Sequence, residues 1–295
     1  MSEYSNYNAY RYHITRYQNH QLPIPFDIRS KELIMIDFFE KLIHDKKTVY
    51  KLGKKRFVIY GKQNVNQQIF VITLAKNIKE KKYVEGDEEP IAEEDESIVF
   101  VRMFVNPDTQ IILVQHKSTA FQDTSVSIKY LSRFINDAIR DTEHVVNIYP
   151  LSSYENFWDT IERAEYIYRF SATLNAPNML LGHQSTRDAL KILKGETNID
   201  SVKIDLISAE GKLELKKSTW YDKVIEHVTT VGGKLGLRYK MSEKTPVETK
   251  TELDEVRKVS IAEEETYSDF DLSNIEGEIK SIDEDSKTQD NEPNK

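Results

Sequence analysis

The sequence predicts an α+β protein with mixed or antiparallel sheets packed against helices, followed by a disordered acidic C-terminal tail. Three observations predict this class. Short segments with alternating apolar and polar residues, typical of strands, recur through residues 1–242. Segments with apolar residues three and four positions apart, typical of helices, lie between them. From residue 243 onward the chain is rich in Glu, Asp, Ser and Thr, which is typical of disorder.

The first half of the chain alternates strand and helix patterns. YSNYNAYRYHITRY is a predicted strand, and Ser30 is the predicted N-cap of a helix, SKELIMIDFFEKLIHDK. The expected apolar face of that helix consists of Leu33, Ile36, Phe39 and Ile43. The strands predicted next are TVYKL, KRFVIYG, IFVITLAK, IVFVRMF and QIILVQH. The half ends with a helix, SIKYLSRFINDAIR, and a strand, VVNIYPL.

The second half predicts a smaller α+β unit. Its elements are the helix YENFWDTIERA, the strand EYIYRFSATL, the helix MLLGHQSTRDALKILKG, a hairpin SVKIDLISAEGKLELKKS and the helix TWYDKVIEHVTTV. The hairpin is expected to turn at Glu210–Gly211. We therefore expect three regions: an N-terminal domain over 1–151, a C-terminal subdomain over 152–242 that could mediate dimerisation, and a disordered tail over 243–295.

Composition excludes several classes of function. The chain of 295 residues has no cysteine, which excludes disulfides, thiolate zinc sites and Cys nucleophiles and fits a cytoplasmic protein. No apolar run approaches the ~20 residues needed to cross a bilayer, so membrane insertion is not expected. Phosphate-loop, dinucleotide and serine-hydrolase motifs are absent from the sequence. The sequence predicts neither a catalytic motif of these kinds nor a cofactor.

Charge is distributed very unevenly. The net charge is −8, but the tail from Lys244 contributes −9, so residues 1–243 sum to +1. Residues 46–82 contain eleven basic residues and one acid, Glu80. Polyanions are bound by several cations presented together, because affinity comes largely from counterion release. The predicted phosphate-contacting patch is Lys46, Lys47, Lys51, Lys54, Lys55, Arg56, Lys62, Lys76, Lys79, Lys81 and Lys82.

An acidic segment directly follows this basic one. VEGDEEPIAEEDES, residues 84–97, contains eight acids and no base. Gly86 and Pro90 predict a loop, and the order of the acids does not match a calcium-binding loop. We expect no metal site here. The segment could fold back and compete with a polyanion for the neighbouring lysines.

One enzymatic alternative comes from the predicted hairpin. Asp205, Glu214 and Lys216 resemble the D…ExK set of metal-dependent nucleases. In the predicted register Asp205 faces Lys216, and Glu214 lies on the same face. Two carboxylates there could hold Mg²⁺ while the lysine steadies a phosphate. The alternative without catalysis is a cross-strand ion pair on a solvent-exposed face.

Several segments resemble the RexA-like family of phage superinfection-exclusion proteins. The segments that carry the resemblance, over about residues 45–235, are TVYKLGKKRFVIYGK with IFVITLAKNIKEKK, EEDES before IVFVRMF, HVVNIYPL, YIYRFSATLNAP and ALKILKGETNIDSVKIDL. The acidic tail has no counterpart in this pattern. The resemblance implies a function in phage exclusion, sequence-tolerant DNA binding, self-association and signalling to a membrane-protein effector. It implies no catalysis.

The sequence thus leaves three hypotheses. The first is a cytoplasmic, non-enzymatic protein of the RexA-like kind that binds DNA or a DNA–protein complex through the basic patch. The second is a Mg²⁺-dependent nuclease that uses Asp205, Glu214 and Lys216. The third is a protein-interaction module whose charges serve solubility and which binds no nucleic acid.

Overall fold

A computed structural model gives the fold. It describes residues 4–16, 31–53, 55–63, 69–84, 91–142, 144–151, 154–175, 201–217, 220–231, 233–250, 256–262 and 272–288. The predicted helix over residues 179–195 and the predicted N-cap Ser30 lie outside the described residues.

Over the described residues, the larger sheet contains eight strands, most of them from the first half of the chain. They run in the order β12-β1-β6-β5-β4-β3-β2, with β7 paired to the second half of β1, and each neighbouring pair is antiparallel. The strands are β1 (Tyr4–Arg16), β2 (Lys47–Leu52), β3 (Lys55–Gln63), β4 (Phe70–Val84), β5 (Ile91–Asn106), β6 (Ile111–Gln115), β7 (His144–Pro150) and β12 (Lys258–Ala262). Strand β2 forms one edge of this sheet.

Two helices, α1 (Lys31–Asp45) and α2 (Thr124–Ala138), cover one face of this sheet, which we call the inner face. Asp123 caps α2 by accepting a hydrogen bond from the backbone N–H of Ser125. The buried face of α1 is rotated from the predicted one, because Leu33 is 48% exposed. The side chains that α1 buries are Ile34, Met35, Phe38, Phe39 and Leu42.

The acidic tail covers part of the opposite, outer face. Its helix α5 (Ser273–Thr288) buries Ile275, Ile279 and Ile282 against β1, β5, β6 and β12. Strand β12 also comes from the tail and pairs with β1, from Tyr4 opposite Ala262 to Asn8 opposite Lys258. The prediction of a disordered tail is therefore wrong for the tail residues that the structure describes. Their spaced apolar residues fold onto the chain's own sheet.

A buried ion pair fixes this helix to the sheet. The guanidinium of Arg11 on β1, which has no solvent exposure, donates from Nη2 to Oδ1 of Asp283 on α5 at 2.9 Å. Burial lowers the pKa of Arg11 to about 10, and the nearby Asp283 carboxylate opposes that shift. The guanidinium therefore stays charged at neutral pH and needs its partner.

A second sheet, of four strands within the described residues, follows in the chain. Its order is β11-β10-β8-β9, again antiparallel, with β8 (Tyr166–Asn175), β9 (Ser201–Ile207), β10 (Gly233–Lys240) and β11 (Glu248–Lys250). Helices α3 (Tyr154–Arg163) and α4 (Trp220–Val231) pack on it around Phe157, Trp158 and Phe170. Strand β11 is a further part of the predicted tail that is ordered.

The predicted hairpin at residues 201–218 is wrong in its second strand. β9 pairs with β8 instead, with Asp205 opposite Ser171. Residues 211–217, where the second strand is predicted, form one parallel bridge, from Lys212 to Ile167. Strand β10 is not among the predicted elements, although Leu235, Leu237 and Tyr239 alternate along it and are buried.

The predicted fold class is confirmed: the protein is α+β, with antiparallel sheets packed against helices. None of the helices in the described part of the chain is long and apolar enough to span a membrane. The larger unit combines residues 4–151 with β12 and α5 from the tail, so the tail is not a separate region.

The Arg11–Asp283 pair gives a prediction about stability. Replacing Asp283 with Ala leaves a charged guanidinium buried without its carboxylate, which typically costs about 3–5 kcal/mol. We expect urea denaturation of Asp283→Ala to show a loss of that size in the free energy of unfolding.

The control is Lys280→Ala on the same helix, which removes the surface pair between Lys280 and Glu276. We expect a change within about 1 kcal/mol for this exposed pair. A double variant, Arg11→Met with Asp283→Leu, should recover most of the stability, because it removes both buried charges. Equal small losses for Asp283→Ala and Lys280→Ala would contradict the assignment.

Candidate nucleic-acid interface

The first part of the basic patch lies on the outer face of β2 and β3. Residues an even number of positions apart along a strand lie on the same face of the sheet. Four exposed cations of β2 and β3 are separated in this way, so they share one face. The residues of this set, which we call the edge cations, are Lys47, Lys51, Arg56 and Lys62. The apolar cluster beneath α5 contains no residue of β2 or β3, so the tail helix does not cover them.

Two of the edge cations face each other directly. The β2–β3 register places Lys51 opposite Arg56, and like charges at directly opposed positions destabilise a sheet. Among the described residues, neither side chain has an ion-pair partner, and both are exposed. Local folding gives no reason for this arrangement, whereas a bound anion between the two side chains would relieve the repulsion.

Sequence reasoning missed two further cations on the outer face. Arg102 on β5 lies opposite Thr73, and its guanidinium carbon is 6.0 Å from the centre of the Phe100 ring. The Lys117 ammonium lies 4.8 Å from the same ring centre. The alternation in IVFVRMF could have placed Arg102 beside Phe100, but nothing local connects Lys117 to them. Cations interleaved with aromatic rings are typical of surfaces that bind nucleic-acid strands.

The second part of the basic patch lies opposite acids in the strand register. β4 and β5 form a long ribbon in which Lys79 lies opposite Glu96, Lys81 opposite Glu94 and Lys82 opposite Glu93. The Lys79 Nζ is 3.6 Å from a Glu96 carboxylate oxygen, and both side chains are exposed. The predicted loop over residues 84–97 is therefore wrong for Val84, the last residue of β4, and for residues 91–97, which form the start of β5. The acidic segment is thus the strand next to the basic segment, and the register of β4 and β5 places acids opposite the lysines.

The remaining predicted cations lie elsewhere. Lys55 and Lys76 share the inner-face side of β3 and β4 with Phe57 and contact aromatic rings. Lys46 is exposed at the junction of α1 and β2, with a positive φ of 56°. Lys54 lies outside the described residues. The described part of the basic segment is thus divided among four places: the outer face, the inner face, the ribbon of β4 and β5, and the α1–β2 junction.

The residues of the nuclease hypothesis do not share a strand pair. Asp205 accepts a bidentate hydrogen bond from Arg169 on β8, with Nε to Oδ1 at 2.7 Å. That contact holds the pKa of the Asp205 carboxyl below its ordinary value near 3.8. Glu214 lies past the end of β9 and pairs with Lys216 at 2.9 Å, which lowers the pKa of Glu214. The predicted facing of Asp205 and Lys216 is wrong, because the second strand of that hairpin does not form.

Metal-ligating side chains do not converge in the part of the chain that the structure describes. No group of three or more His, Asp or Glu residues there lies close enough to hold an ion. Both oxygens of Asp205 already accept from Arg169. The Mg²⁺ arrangement expected for the nuclease hypothesis is thus not formed by these three residues in this geometry.

Comparisons with known proteins add no assignment. No family model matches the chain, and neither a curated protein nor a solved structure matches it.

The Asp205–Arg169 pair gives a prediction about pH. A carboxyl whose pKa is lower in the folded state contributes stability above its ordinary pKa, and that contribution is lost as pH falls through the lowered value. We expect Asp205→Asn to be less stable than the unmodified protein at pH 7, by a small amount because the pair is partly exposed. The difference in urea midpoint should shrink as the pH falls below about 4.

Glu210→Gln serves as the control, because Glu210 forms an exposed pair with Lys212 on the same unit. A stability difference for Asp205→Asn that is constant from pH 7 to pH 2 would show that the carboxylate charge is not what Arg169 stabilises.

Proposed function

We propose that the protein is a non-enzymatic, cytoplasmic DNA-binding protein that contacts phosphates through the outer face at the β2 edge. The observation that carries the proposal is the opposed couple Lys51–Arg56 within the edge cations, which has no ion-pair partner among the described residues. A row of cations on two adjacent strands can follow a phosphate backbone, and Lys predominates in it, which suits phosphate contact more than base reading.

The aromatic side chains of the same face extend the proposed interface. Tyr60 on β3 lies opposite Lys47 on β2. The cationic groups of Lys117 and Arg102 lie near the face of the Phe100 ring. Base–aromatic stacking tolerates sequence because every base has a flat π face. Phosphate contact together with such rings supports binding without strong sequence preference.

The proposed biological setting is phage exclusion of the RexA-like kind. It rests on the resemblance of the segments between residues 45 and 235 alone. The setting adds two proposed partners: a second copy of the chain, and a membrane-protein effector that receives the signal. DNA binding at the β2 edge is independent of that resemblance, because it rests on the geometry of the edge cations.

The main test reverses the opposed couple. Lys51→Glu with Arg56→Glu should weaken binding of a labelled DNA fragment, and the weakening should be largest at low salt. The slope of log affinity against log salt concentration should fall in magnitude by about 0.9 for each phosphate of duplex DNA that the variant no longer neutralises. Fluorescence anisotropy at several salt concentrations measures both quantities.

The matched control is Lys41→Glu with Lys129→Glu, which changes the net charge by the same amount. Both residues are exposed on α1 and α2, the helices that cover the inner face. DNA affinity should stay close to that of the unmodified protein. Equal reductions in the two double variants would mean that only overall charge matters, and no binding by the unmodified protein at low salt would favour the interaction-module hypothesis.

A further prediction concerns the ribbon of β4 and β5. Changing Glu93, Glu94 and Glu96 to Gln removes the acids opposite Lys82, Lys81 and Lys79. We expect tighter DNA binding with a steeper salt dependence, because three negative charges are removed from the strand that lies opposite these lysines.

The control for the ribbon changes three exposed acids of the second unit, Glu162, Glu210 and Glu243, to Gln. It removes the same charge far along the chain from the ribbon. Unchanged affinity in the ribbon variant would leave the acids of β5 with a purely structural effect.

A further inference from the structure

A groove opens on the larger sheet beside the start of β3, where β4 extends beyond it. The pairing of β3 with β4 reaches Phe57 opposite Lys76, whereas β4 continues beside β5 to Val84. The resulting notch is bounded by the start of β3, by Asn77–Lys79 on β4 and by the first turns of α2. Its volume is about 550 Å³, within the roughly 300–1,000 Å³ typical of small-molecule sites.

Three aromatic rings form one wall of this groove. The rings of Phe57 and Tyr130 have centroids 4.3 Å apart, and Phe121 lies 6.3 Å from Tyr130. Phe57 and Phe121 are buried and hold Tyr130, which is half-exposed, in place. A flat ring held rigidly at the edge of an open groove is a platform on which an aromatic ligand can stack.

Cations stand around this platform. The Lys76 ammonium lies 4.6 Å from the centre of the Phe121 ring, and the Lys55 ammonium donates to the Tyr130 hydroxyl at 2.8 Å. Among the described residues, neither lysine has an ion-pair partner. Lys79 also lines the groove, but Glu96 already pairs with it. Arg56 of the edge cations lines the groove as well, so three cations without an ion-pair partner among the described residues remain for an anionic ligand. The exposed amides of Asn77 and Gln122 add hydrogen-bonding groups.

We propose that this groove binds a nucleoside phosphate, with the base stacked on Tyr130 and the phosphate held by Lys55 and Lys76. The combination of a flat aromatic wall, two ammonium groups and two amides fits that ligand class, and Glu96 disfavours a long polyphosphate. The site shares Arg56 with the edge cations. It goes beyond the proposed DNA interface, because Lys55, Lys76 and the aromatic wall lie on the inner-face side of the sheet and the site needs no continuous strand. Its ligand is either a free nucleotide or the phosphorylated end of a strand.

The test titrates the full-length protein with adenosine 5′-monophosphate in a calorimeter, beside adenosine and inorganic phosphate. The nucleotide should bind more tightly than either part. Lys76→Ala and Tyr130→Leu should each weaken nucleotide binding about tenfold, because they remove a charged hydrogen bond and base stacking respectively. Tyr130→Phe keeps the ring and should retain binding.

Lys217→Ala is the control for Lys76→Ala. The Lys217 ammonium also lies over an aromatic ring, at 5.8 Å from the centre of Trp158, but it lies outside the groove and outside the proposed DNA interface. It should leave nucleotide affinity unchanged, and thermal melts should show that both variants fold. Equal affinity in Lys76→Ala and the unmodified protein overturns the site.

Two further arms identify the source of the phosphate and separate this site from the DNA interface. Short single-stranded DNA with a 5′-phosphate is compared with the same strand bearing a 5′-hydroxyl. Lys76-dependent binding of the phosphorylated strand without binding of the free nucleotide assigns the groove to strand ends. Absence of both overturns the proposal. Lys47→Glu with Lys51→Glu should lose DNA affinity but keep nucleotide binding, so either site can fail without the other.

Discussion

The larger sheet has two faces to cover, and the structure depends on how the second one is covered. β1 sits between β6 on one side and β12 and β7 on the other, so its residues are buried on both faces. The helices of the first half reach only the inner face. The outer face near β1 carries Arg11, whose burial is tolerated because Asp283 arrives from the far end of the chain. The tail helix that brings Asp283 also leaves the outer faces of β2 and β3 uncovered, and this is where the edge cations lie.

Strand register decides what each basic residue can do. In the ribbon of β4 and β5 every lysine from Lys79 to Lys82 has an acid directly opposite, so this part of the basic segment is balanced within the fold. In β2 and β3 the same kind of residue faces an aromatic ring, an aliphatic side chain or another cation. Lys51 and Arg56 therefore place positive charge at the β2 edge without an ion-pair partner among the described residues. Edge lysines also discourage pairing with other sheets, but that role does not require Lys51 and Arg56 to face each other.

The sequence predicts local features of this fold better than distant ones. The alternation of apolar and polar residues in IFVITLAK predicts a strand, and the apolar spacing in 124–138 predicts a helix. Both predictions need only the repeat within a single segment. The Arg11–Asp283 contact spans 272 positions, and no local pattern connects those residues. Composition alone misjudges the tail because acids dominate it, while Ile275, Ile279 and Ile282 follow the helical spacing that packing uses. For the site, the basic residues are visible in the sequence, but only the register separates the opposed pair Lys51–Arg56 from the balanced lysines of β4.

The distribution of positive and negative charge over the surface restricts where a polyanion could bind. Acids lie along β5 at residues 93–96 on one side of the basic surface, and the acidic helix α5 covers the other end of the sheet. Repulsion from α5 acts over about one Debye length, roughly 8–10 Å at physiological salt, whereas the acids of β5 have lysines opposite them. The open β2 edge is therefore the part of the basic surface on which the proposed phosphate contacts rest. The groove beside Lys76 lies at the same end of β3 as Lys51 and Arg56. In the proposed function, a strand that crosses the edge ends its path near the aromatic wall, where its terminal base leaves solvent without a change in the fold.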